Sequence, residues 1–433
     1  MNILVFSQAA WDNVNAFGNT VSNFFENWSD STFAHFYTRK QKPDNKVVSY
    51  YYNLSVMDVV KNIFKKNDMP RRFENSDIDE RFQLLSSELA NERKQINLLH
   101  QFKFLQEIAY CVTEMVWLRR KWMDESFEKF IDEFKPDVFF AFATSAYILE
   151  PLIMFIKKRT GAKVVLFIAD DVYNDYARKS ILRKRYLTKC FSKSILNADK
   201  IYGCSKELSE AYGRLFHVDI QPLYKGCILS GNVKKSNNVP LRIVYAGNMF
   251  YGRPQILEKI ARIIEAINKK DIIVQLEIYT AAVISDNLRK SLERGNSSKI
   301  VGKRPYNEIK RILCEADIVL HVESFEKEQI ESVRYSFSTK IIDCLQSGSG
   351  VLAVGPAGIA SIEYLRNIDG VCVVDNLKAL PEVLRKLVKN PHKISENAAK
   401  IFEYAKKYHN IENVRNSLKE DFRRLVSNEN SSD

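Results

Sequence analysis

With 433 residues, 45% hydrophobic and 12% aromatic, and only 15 Gly and 11 Pro, the chain is neither disordered nor a repeat array. It has room for two domains that each bury a core. The formal net charge of +12 implies attraction to polyanions, whether nucleotides, anionic lipid headgroups, polymeric phosphates or nucleic acid, and charge alone does not choose among them. Nucleic acid ranks last, because the basic residues are spread along the whole chain and no recognition motif is present.

The first element is an apolar strand at residues 3–6, followed by a loop over 11–18 and a helix beginning near Asn19 and Thr20. A strand running through a glycine-containing loop to a helix start suits phosphate or sugar binding, with Gly18 as the candidate. An ordinary strand-to-helix turn explains the single glycine equally well. Residues 58–133 are charged and helical in spacing, with no strong strand candidate. The apolar run 138–156 is broken by Glu150 and Pro151 and preceded by the turn Lys135-Pro136-Asp137. It reads as a strand, a loop and a helix and not as a membrane span. No basic segment precedes NILVFSQ, so no secretory signal is expected.

Strands then alternate with helices: DVFFAFA, KVVLFIAD and DKIYGCS, the pattern of a parallel sheet covered by helices. After the second of these stand Asp170 and Asp171, which suit either a sugar hydroxyl or acceptor proton or a plain loop and helix cap. Between the second and third lies a basic amphipathic stretch, residues 178–193. It suits an anionic membrane surface or an anionic acceptor, and somewhat better a solvated helix whose apolar stripe packs on its own domain.

A polar linker at 230–240 marks a boundary. The expected division is 1–235 with a helical insertion at about 58–133, then 236–393, then closing helices over 394–433. The second unit repeats the alternation from LRIVYAGN through IVQLEIYT, KIVGK and DIVLHV to GVCVVD, so its ligand is expected at the carboxyl ends of the strands. Within it, residues 335–356 read as a turn, a helix opening at Ser338, Thr339 and Lys340, Asp343 one turn later, a stop at Gly348 and a buried strand over 350–354. Such a helix start is an anion site and the acid can hold a sugar hydroxyl, which suits the diphosphate and ribose of a nucleotide-sugar. The seven cysteines have no CxxC or metal-ligand spacing and an odd count, favouring a reducing cytoplasm and a buried, inert role for most.

Four segments, YAGNMFYGR, VGKRPYNEI, CEADIVLHVES and FSTKIIDCLQSGSGVLAVGP, stand in an order and spacing that resembles the donor domain of family 4 retaining glycosyltransferases. The resemblance covers residues 240–380 best. It implies an α/β GT-B fold of two facing Rossmann-like domains, with C-terminal helices crossing back to the first. It also implies a hexosyltransferase-like retaining enzyme. The donor would be a UDP or GDP nucleotide-sugar and the acceptor a glycan or lipid-linked sugar, as in bacterial surface polysaccharide synthesis. No other cofactor is implied, and no metal is expected because Asp170-Asp171 lacks the DxD pattern. The place would be cytoplasmic or peripheral at the inner membrane face.

By the same resemblance, Gly247 and Asn248 let the backbone approach the diphosphate, Arg253 and Lys340 contact it, and the amides of Ser338 and Thr339 assist. Asp343 replaces a glutamate that binds ribose. Lys303 or Arg304 lies by the nucleobase, at least one of them being a plain surface charge. The acid expected near the sugar is absent, since its place holds Tyr335. Glu323 or Glu331, in the preceding loop, is the candidate replacement. Two other readings stand beside the transferase: a nucleotide-sugar epimerase of the same fold, and a catalytically degenerate, transferase-like binding partner.

Overall fold

The computed structural model describes residues 1–13, 15–59, 71–84, 103–229, 233 and 238–427. Parts of the expected helical insertion (60–70 and 85–102) and most of the linker expected at 230–240 lie outside the described residues. Two compact units emerge, one of residues 1–223 with 415–433, the other of residues 224–414.

The first unit holds an eight-stranded sheet of β1 (Asn2–Ser7), β2 (Thr32–Tyr37), β3 (Val48–Asn53), β4 (Arg72–Glu74), β5 (Val138–Phe142), β6 (Lys163–Ile168), β7 (Lys200–Gly203) and β8 (Gln221–Pro222). Its order is β4-β3-β2-β1-β5-β6-β7-β8, parallel throughout except for β4 against β3. The chain steps outward from β1 and then returns to its other side, so the order reverses between β1 and β5. Buried apolar runs such as VFFAF and KVVLFI fit strands covered on both faces.

The second unit holds β9 (Leu241–Ala246), β10 (Val274–Tyr279), β11 (Ser298–Ile300), β12 (Ile318–Val322), β13 (Gly350–Val354) and β14 (Cys372–Val374). The order β11-β10-β9-β12-β13-β14 is that of a Rossmann-like sheet, with its reversal between β9 and β12. Register there is set by Ile318 beside Ile243 and Val319 beside Val244. Helix Arg253–Ile267 buries Ile256, Leu257, Ile260 and Ile264 on one face of the sheet. Ile341, Ile342 and Leu345 close the other face.

The strand expectations from residue 138 onward correspond to β5 to β7 and β9 to β14. Four further strands carry little local signal, the two-residue β8 among them. β2 and β3, TFAHFY and VSYYYN, carry polar and aromatic side chains that meet partners outside their own strands. Ser7 Oγ lies 3.0 Å from His35 Nε2, Asn45 Nδ2 donates to Tyr51 Oη at 3.0 Å, and Arg71 donates to Tyr52 Oη at 3.4 Å. β4 is a three-residue edge strand inside the stretch expected to be helical. The apolar run 138–156 divides between β5 and helix Ala146–Thr160, with Glu150 and Pro151 buried inside that helix. No helix among the described residues is long and apolar enough to cross a membrane.

The end of helix Ile411–Ser427 belongs to the first unit. Phe422 packs on Phe25, Trp28 and Phe140, and Arg415 donates to the carbonyls of Asn23 and Ser22 and to Glu26. The first helix starts at Ala16, earlier than the Asn19 expected, because Asn15 caps it by accepting the Gly18 amide at 2.7 Å. Gly18 therefore sits inside the helix, pressed against the backbone of Asp12 where any Cβ would overlap the carbonyl. Gly18→Ala is expected to destabilise the first unit by about 1–3 kcal/mol through overpacking, read as a lower midpoint in equilibrium denaturation.

Candidate functional site

In the second sheet the reversal between β9 and β12 leaves a crevice at the carboxyl ends of two strands that diverge in their connections, the place where α/β sheets bind ligands. Gly247 and Asn248 follow β9 directly, and Glu323 follows β12. Arg253 opens helix Arg253–Ile267 and turns inward, only 7% exposed.

Its guanidinium ties the two sides of the crevice together. Nε donates to the Val322 carbonyl at 3.2 Å and Nη1 to Asn248 Oδ1. Nη2 donates to both Glu323 carboxylate oxygens, at 2.9 and 3.1 Å. Glu323 is 2% exposed; burial pushes its carboxyl upward and Arg253 opposes that push. Beneath it, the His321 ring is neutral, its pKa held down to about 3 by burial and by the Arg253 and Lys340 cations. Its Nε2 is 3.4 Å from Glu323 Oε1 and 3.4 Å from Ser361 Oγ.

Lys340, the first residue of helix Lys340–Gln346, brings a second cation to the crevice. The residue as a whole is half-buried. Its ammonium is 5.6 Å from the centroid of the Tyr245 ring and occupies the space that a Cβ on Gly247 would take. The close approach accounts for glycine at 247. The Tyr245 hydroxyl donates to the Asn248 carbonyl at 2.6 Å, fixing the loop. Among the described residues no hydrogen-bond acceptor or carboxylate is bonded to the Lys340 ammonium. Burial, reinforced by Arg253, lowers its pKa to about 8.

Ser338 and Thr339 precede the helix: Ser338 is half-buried and Thr339 exposed. The Ser338 carbonyl accepts the Ile341 amide at 3.0 Å. The helix begins at Lys340, the last of the three residues expected to open it, and has seven residues. The cationic character of this place therefore resides in the Lys340 side chain more than in a helix dipole. Asp343, one turn on, has its Oδ1 already engaged, accepting from Tyr306 Oη at 2.9 Å and Gln346 Nε2 at 3.0 Å. Burial raises its pKa, opposed by Tyr306 and by Lys225, Lys310 and Lys340.

The remaining candidates are not gathered here. Lys303 and Arg304 are exposed, and Arg304 pairs with Glu308 at 3.3 Å. Glu331 is exposed on helix Lys327–Val333. In the first unit, Asp170 is exposed at the carboxyl end of β6. Asp171 accepts from Tyr212 Oη at 2.7 Å and from Asn174 Nδ2 at 3.0 and 2.8 Å. The Gly18 amide is spent on its helix cap. Tyr245, Tyr306 and His321 carry no signal of their own in the sequence, although each stands within one of the four segments that point to a donor domain. An aromatic residue in such a segment reads as core until its hydrogen-bond partner is known.

No protein-family model matches the chain, and no curated protein matches it in sequence. Among solved structures it is similar to HepE from Anabaena in complex with UDP, at 11% identity and a TM-score of 0.60, over 98% of this chain and 100% of that one. It is similar to sucrose-phosphate synthase from Thermosynechococcus elongatus, at 12% identity and a TM-score of 0.60, over 98% and 99%. A third is an α,α-trehalose-phosphate synthase (UDP-forming) from Burkholderia xenovorans in complex with glucose-6-phosphate, at 9% identity and a TM-score of 0.59, over 98% and 100%. At these identities the likeness is one of fold. The chain has the GT-B type of fold, two Rossmann-like units with the C-terminal segment returned to the first.

Because Arg253 and Glu323 are buried together, Glu323→Gln, which leaves the guanidinium without its counter-charge, is expected to cost about 3–5 kcal/mol. The paired replacement Arg253→Met with Glu323→Leu should cost clearly less. Equilibrium denaturation of the full chain checks this, and a double replacement as damaging as the sum of the single ones would show that the two side chains do not act as a pair.

Proposed function

We propose that the chain is a glycosyltransferase that binds a nucleotide-sugar in the β9–β12 crevice and transfers the sugar to a glycan or lipid-linked acceptor with retention. One observation carries this reading: Lys340 holds a desolvated ammonium, with no bonded counter-ion among the described residues, at the reversal point of a Rossmann-like sheet. A cation so placed is costly until an anion arrives. A diphosphate supplies that anion, and Gly247, having no side chain, leaves the ammonium its place in the crevice. The fold neighbours crystallised with UDP, or with UDP and glucose, support a nucleotide-sugar as the form in which it comes.

In this reading Lys340 stabilises the negative charge that develops on the departing diphosphate. Arg253 and Glu323 hold the crevice in shape, and Asp343, held by Tyr306, accepts from a ribose hydroxyl. The acceptor oxygen forms its bond to the anomeric carbon as the bond to the diphosphate oxygen breaks, on the same face of the sugar. The acceptor's proton passes to that departing oxygen, so no nucleophilic carboxylate is required, in contrast with retaining hydrolases. No metal is invoked, because the charge is supplied by Lys340 and Asp170-Asp171 lacks the DxD pattern. We place the protein in the cytoplasm, at the inner face of the cell membrane when its acceptor is lipid-linked.

A thermal-shift series with UDP, GDP and UDP-sugars is the direct test, since a ligand of the native state raises its stability by mass action. One of the two diphosphates should raise the midpoint, and Lys340→Ala should abolish the rise and reduce transfer by about tenfold or more. Unchanged turnover in Lys340→Ala would remove the diphosphate from this crevice. The pH dependence has a definite sign. Lys340 binds the anion only when protonated, and its pKa in the free protein is about 8. Nucleotide affinity should therefore be full below that value and decline as pH rises through it. Lys340→Arg, which stays charged, should flatten the decline.

A further inference from the structure

The basic stretch at 178–193 suits two roles by its sequence, and the structure assigns its residues to different tasks. In helix Ile181–Leu196, Leu187, Phe191 and Ile195 are buried at i, i+4 and i+8 and seat the helix on its own unit. Arg183 is buried as well. Its Nε and Nη2 donate to the Glu114 carboxylate at 3.0 and 2.6 Å, and Nη1 donates to Glu107 at 2.6 Å. This arginine is neutralised, and it pins the start of the helix to helix Lys103–Leu118.

What remains outside is distinct in kind. Ile181 and Leu182 are 85% and 79% exposed, side by side in the first turn, and the Arg183 anchor prevents that turn from rolling inward to cover them. Around them stand Arg178, Lys179, Lys184 and Arg185, all exposed and none hydrogen-bonded to a carboxylate of a described residue, although Arg178 and Lys179 lie in the field of Asp175. Helix Lys103–Leu118 adds a second exposed apolar row, Ile108, Val112 and Met115, at i, i+4 and i+7. The segment from 178 to 198 contains no acid.

We propose that the first turn of this helix seats the protein on an anionic phospholipid surface. Ile181 and Leu182 enter the boundary between headgroups and acyl chains, and the four cationic side chains pair with lipid phosphates. An apolar tip beside four exposed cations, of which Lys184 and Arg185 form no ion pair with a described residue, is complementary to such a surface. A second copy of the chain fits poorly, since it would bring the same cations against themselves. The helix lies between β6 and β7, so its first turn is at the carboxyl edge of this parallel sheet, the edge at which α/β units take ligands. A lipid-linked acceptor lying in the bilayer is thereby presented to that edge. The surface itself does not depend on the nucleotide-sugar reading.

The test is co-sedimentation of the full chain with vesicles of phosphatidylcholine, with and without phosphatidylglycerol. The variants are Ile181→Ser with Leu182→Ser, and Lys184→Ser with Arg185→Ser. The chain should bind the vesicles that contain phosphatidylglycerol and not the neutral ones, with each pair of substitutions weakening binding about tenfold or more. High salt should remove the part due to charge. Both variants should keep the wild-type melting midpoint and its response to nucleotide, so that failure in the lipid assay is separable from failure of the nucleotide site. Three results overturn the proposal. One is no preference for anionic vesicles, and another is binding unchanged in both variants. The third is a dimer dispersed by the Ile181→Ser, Leu182→Ser pair with no vesicle binding, which would assign the patch to a second copy of the chain.

Discussion

The buried pair of Arg253 and Glu323 governs the geometry of the second unit at the point where its strand order reverses. Two parallel strands whose connections diverge leave a gap, and a gap lined by loop backbone must satisfy its polar groups or collapse. One guanidinium does this from a helix start, reaching the Val322 carbonyl, the Asn248 side chain and the Glu323 carboxylate together. Its planar fork suits the task, since the donors are fixed relative to one another and little entropy is lost per bond. The pair also settles the charge of the site. Arg253 and Glu323 cancel, and Lys340 is left as a cation without a bonded partner among the described residues.

The first unit shows the same division of labour. Arg183 is withdrawn into a bidentate contact with Glu114, while Arg178, Lys179, Lys184 and Arg185 stay in solvent. In both places a buried arginine fixes the frame, and other cations beside it face outward or into a crevice. A formal charge of +12 therefore overstates the attraction at some positions and understates its focus at others. Anion binding depends on the cations left over after internal pairing.

Asp343 illustrates how a site can be half prepared. Its Oδ1 accepts from Tyr306 and Gln346, which orients the carboxylate from within the protein. Burial raises its pKa while the Tyr306 hydroxyl and three lysines oppose the rise. The shorter side chain thus has its direction fixed from behind, which is the kind of support that placed polar groups require.

Local pattern alone determined much of this protein. Continuous apolar runs such as VFFAF, KVVLFI and IVLHV, spaced by helical segments, declare strands buried on both faces, and their alternation declares a parallel sheet. The same alternation in the second unit places its expected ligand at the carboxyl ends of the strands. The tertiary structure decided the rest. β2 and β3, TFAHFY and VSYYYN, bury His35, Tyr51 and Tyr52 beside Ser7, Asn45 and Arg71, contacts that no periodicity within the strands announces. Likewise, no local rule tells which of two cations near a glycine loop will be neutralised. The sequence suggests a ligand contact for Arg253, whose partner Glu323 lies 70 residues away. Hydrophobic periodicity is written in neighbouring residues, whereas the pairing of buried charges depends on which side chains the sheet order brings together.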